Sequence, residues 1–524
     1  MRSGNLPLAM QIARQALAQK IETPQFLTLA AADALNSGNA TEALTLADRA
    51  RELTPHVPDV LNLRGMALAS LGRHAEAVRD FEAALRKAPG MAQIRFNRAR
   101  SLEDMGQIVR ARSEFERVIE AVPNHGEALA HLAGMAVQRG ERDAARKLAE
   151  RALRTGVGAI ASHLAIAQCD IDEMKFAEAL NRLSALAQST QISPVNRAIV
   201  QGLMGDALEG LGRAADAFAA YTAANTTQIE YYRPICEAPG TERAMDRIQR
   251  LIEYFRKSDG THWRSEAKGG TKFSHVFLVG FPRSGTTLLE QILDSHPSVA
   301  SMEERECLFD AQQEYVFPAD GLEKLAHASD AELERHRKLY WQHASAFGHN
   351  PKSGVFIDKF PLNLVLLPLI ARLFPDARII LALRDPRDVV FSCFRRRFGM
   401  NGQMYELLTL AGAANYYAGV MTLAELYRPL LGLPICEIRY EDLVMNFEGQ
   451  SRRICEFLGL EFEEGMRQFA EKSRARGVNT PSAAQVAKGL YTTGAGQWRL
   501  FAAQMASVLP TLAPWCARFG YGEE

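Results

Sequence analysis

The segment HVFLVGFPRSGTTLLEQILDSHP, residues 275–297, decides the fold: an apolar strand pattern runs into a loop bounded by Gly280 and Gly285, then directly into an amphipathic helix pattern. This order builds a phosphate cradle. Glycines let the backbone approach an anion, and a helix beginning near Thr286 presents unpaired N–H groups and the positive end of its dipole. The spacing G-x-x-x-x-G-T-T matches the Walker A loop except at Thr286, where that loop carries the lysine that reaches the β and γ phosphates. Arg283, inside the loop, can supply the missing charge. A cradle without the lysine suits a donor less charged than a nucleoside triphosphate, taken without a metal.

The activated sulfate donor PAPS (3′-phosphoadenosine 5′-phosphosulfate) fits that description. PRSGTT resembles the 5′-phosphosulfate loop of PAPS-dependent sulfotransferases, and its form with arginine is similar to the tyrosylprotein sulfotransferase branch. The resemblance runs from about Phe273 to the C-terminus through four separated motifs. It implies a P-loop-like α/β sulfotransferase domain with a parallel central sheet, in which Arg283, Ser284, Gly285, Thr286 and Thr287 hold the 5′ end of the donor.

Composition sets the bounds. The 524 residues give room for two to four domains. Lys+Arg and Asp+Glu both total 61, so nothing global draws the chain to nucleic acid or an anionic membrane. The start, MRSGNLPLAM, lacks a signal-peptide core, and no window approaches the roughly 18 apolar residues of a membrane span. These features predict a soluble, cytoplasmic protein. Cysteines at 169, 236, 307, 393, 436, 455 and 516 form no C-x-x-C pair and predict buried free thiols.

The first half repeats. At a period of 34, Gly38, Gly72, Gly106 and Gly140 share a column, Ala43, Ala77, Ala111 and Ala145 another, and Pro55, Pro89 and Pro123 a third. Gly or Ala also recurs at 31, 65, 99, 133, 167 and, after a four-residue insertion, 205. This pattern resembles tetratricopeptide repeats. Small residues let paired helices approach, the glycine column suits a turn with positive φ, and the prolines close one hairpin before the next. The expected organisation is an all-helical repeat superhelix over residues 1–225 with about six repeats, a helical connector over 226–272, and the sulfotransferase domain over 273–524. The stretch 265–271 reads as the flexible boundary. The array could be a groove that recruits a peptide substrate or partner, or a scaffold; either half could supply a homodimer surface. We take the recruiting role.

From Phe273 onward, HVFLVG, GVFIDK, RIILALR and ICEIRY read as strands alternating with helices, so ligands belong at the carboxyl ends of the strands. In RIILALRDPRDVVFSCFRRRF, Arg384 at a strand end and Ser392 two turns into the following helix can converge on one anion. The resemblance implies that they clamp the 3′-phosphate, with Arg396 as a further contact. The plainer alternative pairs Arg384 with Asp385 and leaves Arg395–Arg397 as a solvated face. In SMEERE, residues 301–306, the resemblance places the general base at Glu304, with Glu303 as the alternative; acids near a helix start are also common dipole partners. In VFIDKFPLN, residues 355–363, Lys359 matches a lysine that stabilises the leaving phosphate's bridging oxygen. Tyr440 matches a nucleotide contact and Ser482 a serine near the phosphosulfate. Gln497 departs from the pattern, which has a basic residue there, leaving Lys488 or Arg499 as substitutes.

Competing chemistry has little support. A nucleophile elbow needs glycine where Pro282 stands, there is no H-E-x-x-H, and the twelve histidines show no ligand spacing. The expected reaction is metal-independent transfer of a sulfuryl group from PAPS to a hydroxyl, leaving PAP, with Glu304, Lys359 and Arg283 as catalytic residues. The resemblance implies a peptide or protein tyrosine as acceptor, with a glycan, lipid or small phenol as the alternatives. A P-loop kinase and a repeat scaffold with a vestigial nucleotide site are the alternatives.

Overall fold

A computed structural model describes residues 6–190, 192–263, 273–471 and 494–522, and the chain divides into two compact units, Met1–Glu173 and Met174–Glu524. The first is a succession of helices from Leu6–Ala18 to Ala159–Asp172. Gly38, Gly72, Gly106 and Gly140 each fall between the two helices of a hairpin, at φ of 78°, 74°, 69° and 73°, the left-handed turn that the glycine column predicts. Packing explains the second column. A Cβ on Gly65 would lie 2.6 Å from the Phe81 ring, and Ala31, Ala99 and Ala133 are fully buried.

The second unit opens with three more helices, Phe176–Ala187, Pro194–Gly210 and Ala214–Cys236. They keep the same packing rule: Gly212 makes the turn at φ 74°, and a Cβ on Gly205 would lie 2.4 Å from Tyr221. The helix Ala214–Cys236 passes residue 226 without a break. The next helix, Ala244–Lys257, buries Ile248, Leu251, Ile252 and Phe255 in the same core as the helix Leu410–Leu431, where Gly419 leaves room for Ile248. Arg243 locks this segment with an ion pair to Glu406 at 2.7 Å. The stretch 265–271 lies outside the described residues.

Five strands form one sheet: β1 (Ser274–Gly280), β2 (Val299–Glu303), β3 (Val355–Lys359), β4 (Arg378–Leu383) and β5 (Ile435–Arg439), in the order β2-β3-β1-β4-β5. All pairings are parallel, as the strand–helix alternation predicts. β1 is central and apolar on both faces; Phe277 and Val279 enter one core, Val276 and Leu278 the other. Four of the strands match the sequence reading. β2 does not appear there, because VASME is short, edge-placed and poor in β-branched residues. Among the seven cysteines, all free, six are buried and Cys236 is half-buried.

Candidate active site

The motifs meet at the carboxyl edge of the sheet. β1 ends at Gly280, where a Cβ would meet the Ala382 carbonyl oxygen at 2.7 Å. The loop then turns through Arg283, φ 72°, and Gly285, φ 94°, before the helix Thr286–Asp294. Gly285 is doubly constrained, since a Cβ there would also lie 2.9 Å from the Tyr440 ring. Ser284, Thr286 and Thr287 are buried in the loop and first turn.

Arg283 Nε donates to Ser392 Oγ at 3.0 Å, joining the loop to the helix Pro386–Arg395. Arg384 follows β4. Its Nη1 donates to the Arg283 carbonyl at 3.1 Å and its Nη2 to the Gly494 carbonyl, while its Nε is buried without a hydrogen-bond partner among the described residues. The guanidinium stands 5.1 Å from the centre of the Tyr440 ring. Arg396 caps the same helix, and burial, then the charge of Arg397, lowers its pKa. Burial pushes the Arg283 pKa down to about 9, with Arg396 and Arg384 adding to the effect. Cations crowded in this way are relieved by an anion.

The plainer reading of these arginines does not hold. Asp385 pairs with Arg387 at 2.8 Å, not with Arg384, and accepts the Arg387 N–H as a helix cap. Arg395 and Arg397 pair with Glu209 at 2.6 Å and Asp206 at 3.0 Å, both on the helix Pro194–Gly210, and Asn225 Nδ2 donates to the Phe394 carbonyl at 2.8 Å. The arginine run is therefore a packed junction with the last helical hairpin.

On the other side, β2 delivers the acids. Glu303 is in register with Lys359 on β3, and the Glu304 N–H donates to the Lys359 carbonyl at 2.8 Å with φ of 41°. The two acids thus end a strand rather than begin a helix. Lys359 Nζ donates to Glu304 Oε1 at 2.8 Å, and lies 3.2 Å from Glu290 Oε2 and 3.8 Å from Glu303 Oε1. Burial of Lys359 works against its charge, but Glu290, Glu304 and Glu303 outweigh it, and its pKa is raised.

A cavity of about 370 Å³ opens here, lined by Arg283, Thr286, Thr287 and Glu304 together with the apolar Phe360, Leu362, Phe398 and Met404. A second, of about 320 Å³, shares Phe398 and Gly399 with it and is walled by Val195, Ile199, Tyr231 and Tyr232 of the last hairpin. At the C-terminal segment, Asp388 accepts the N–H groups of Gly496 at 2.6 Å and Trp498 at 2.9 Å. Gln497 accepts from Arg395, and the Arg499 guanidinium lies 5.5 Å from the Trp498 ring centre. Ser482 and Lys488 lie outside the described residues.

Glu290, Asp388 and the junction acids Asp206 and Glu209 escaped the sequence reading. Glu290 carried one signal: it is the one acid within the mostly apolar run 286–293, all of it buried. For Asp206 and Glu209 there was none, since exposed helix faces carry such residues routinely.

A glycine-bounded loop at the carboxyl edge of a parallel sheet, with arginines around it, gives an α/β domain of the P-loop-like kind. Residues 275–464 match the sulfotransferase family, and residues 28–92 and 68–136 match tetratricopeptide repeats. An uncharacterised protein of Aquifex aeolicus is 28% identical over 285 residues, 51% of this chain and 35% of that protein. Protein-tyrosine sulfotransferase 1 of Danio rerio is 26% identical over 263 residues, 47% of this chain and 72% of that protein. The solved sulfotransferase domain of the Synechococcus PCC 7002 olefin synthase is 23% identical, covering 48% of this chain and 97% of that one, with a TM-score of 0.35. The chain thus spans about a third of the Aquifex protein and under three quarters of the zebrafish one. Among the described residues, no helix is long and apolar enough to cross a membrane.

Proposed function

We propose that this protein transfers a sulfuryl group from PAPS to an acceptor hydroxyl. One observation carries the reading: the arginine cluster of Arg283, Arg384 and Arg396 and the Lys359–Glu304 pair stand at one edge of the sheet, with Arg283 and Glu304 lining the same cavity. The residues fit the donor. The cradle at Gly285 tolerates no side chain, and Arg384 keeps a buried Nε in need of a partner. Ser284 to Thr287 would hold the 5′ end, with Arg384, Ser392 and Arg396 on the 3′-phosphate and Tyr440 beside them. When bound, PAPS supplies the sulfuryl group: the acceptor oxygen–sulfur bond forms as the sulfur–oxygen bond to the phosphate breaks, and PAP is the product. Glu304 takes the acceptor proton, and Lys359 with Arg283 offsets charge on the leaving side. Thr286 in the Walker lysine position weighs against the kinase alternative.

For the acceptor we propose a phenolic hydroxyl such as that of tyrosine, supported by the apolar wall of Phe360, Leu362, Phe398 and Met404 and by the zebrafish relative's name. The second cavity, walled by the last hairpin, supports a role for the repeats in holding the acceptor beyond its reacting group. Binding of PAP and ADP, measured by calorimetry in EDTA and in Mg²⁺, tests the donor assignment. Metal-independent preference for PAP is expected; no preference, or a strict need for Mg²⁺, would refute it.

A further inference from the structure

Glu290 plays no part in the roles above, yet its side chain is only 1% exposed. It stands one turn into the helix Thr286–Asp294 and faces a single cation, Lys359, whose side chain is 0% exposed. Its Oε2 lies 3.2 Å from Nζ, off the direction of a hydrogen bond, and neither oxygen has a hydrogen-bond partner among the described residues. Burying a carboxylate on these terms is costly, and an apolar side chain beside Leu289 and Leu293 would serve folding better. What the acid provides is charge next to Lys359.

That charge matters at one moment. At rest, the Lys359 ammonium is held by Glu304 at 2.8 Å. When Glu304 takes the acceptor proton, its charge disappears, and a fully buried ammonium with fewer carboxylates nearby tends to lose its own proton. Glu303 remains, but at 3.8 Å. We propose that Glu290 is a positioning residue that keeps Lys359 protonated and in place while Glu304 is neutralised. The proposal rests on the sulfuryl-transfer reading. Four groups make up the charged cluster: Glu290 from the loop helix, Glu303 and Glu304 from the end of β2, and Lys359 from β3. Burial pushes the Glu290 pKa up to about 7, Lys359 pulls it down, and Glu303 and Glu304 push it up. Neutralising Glu304 removes part of that upward push, so Glu290 becomes more fully ionised as Lys359 needs it.

The test compares the wild type with Glu290→Gln, which keeps the shape and removes the charge. With N-acetyltyrosinamide as probe acceptor, whose phenol still carries its proton at neutral pH, kcat should fall about 10-fold or more while KM for PAPS changes little. At saturating PAPS, where the bound anion keeps Arg283 charged, the limb of the kcat profile that reports loss of the Lys359 proton should move to lower pH. An unchanged kcat, or a reduced kcat with an unmoved limb, would overturn the proposal. Calorimetric PAP binding separates the two levels: a wild type that binds no PAP refutes the donor reading itself. Melting temperature against pH then decides on Glu290 without turnover. Its folded pKa lies above the ordinary carboxylate value, so its contribution is most favourable at low pH and declines as pH rises to about 7. The wild-type minus variant difference in melting temperature should fall over that window; a flat difference would show that Glu290 does not sense the cluster.

Discussion

Replacing Arg384 with alanine should separate PAP from ADP. Arg384 is buried, its Nη1 and Nη2 hold the Arg283 and Gly494 carbonyls, and its Nε has no hydrogen-bond partner among the described residues. One or two charge-assisted bonds to the 3′-phosphate contribute about 1.5–3 kcal/mol each, so PAP affinity should fall between about 10-fold and 10⁴-fold. The same substitution frees the two carbonyls and loosens the loop around the 5′ end. That part of the loss is common to both nucleotides and should cost ADP less than about 10-fold. Calorimetry on both, with melting temperature to verify folding, gives the ratio that isolates the 3′-phosphate. Arg384→Lys keeps the charge without the planar fork and should fall between wild type and alanine. Equal losses for PAP and ADP would show that Arg384 is only a brace for the loop.

Glu304→Gln should bind PAP like the wild type while turnover drops about 10²- to 10⁴-fold; unchanged turnover would remove Glu304 from the mechanism and move the test to Glu303→Gln. Burial and the charges of Arg396 and Arg384 work against the charge of Arg283, and a bound anion relieves all three cations, so Arg283→Met should weaken PAP binding about 10-fold or more. An unchanged PAP affinity in that variant would place the phosphate elsewhere. Gly285→Ala forces a side chain into φ 94° and against Tyr440, which should cost about 1–3 kcal/mol of stability and weaken PAP binding; an unshifted melting temperature would contradict the cradle geometry. Tyr231→Ala should raise KM for an extended acceptor and leave PAP affinity alone, and unchanged acceptor kinetics would exclude the second cavity from acceptor binding.

What could be read from the sequence was whatever local geometry demands of one residue type. The glycine column at 38, 72, 106 and 140 appears as positive-φ turns because no other residue takes that conformation as cheaply. The loop at Gly280 to Thr287 was legible for the same reason, and the buried strands announced themselves as apolar runs. β2 stayed hidden because an edge strand of VASME has neither the run nor the β-branched content, although it delivers both candidate bases. The arginine run 395–397 was ambiguous in principle. A charged helix end looks the same whether it faces water or faces Asp206 and Glu209, which lie more than 180 residues earlier. That pairing changes the meaning of the repeats in the second unit. Glu209 and Asp206 hold Arg395 and Arg397, Arg396 lies between them, and Arg395 also engages Gln497. The last hairpin therefore braces the arginine end of the helix Pro386–Arg395 and, through Gln497, the C-terminal segment that Asp388 anchors. Cutting the chain at residue 273 to isolate a catalytic domain would remove Ile248, Ile252 and Phe255 from its core and leave two arginines without their acids. A functional fragment should begin before Pro194, not at the loop where the sulfotransferase motifs start.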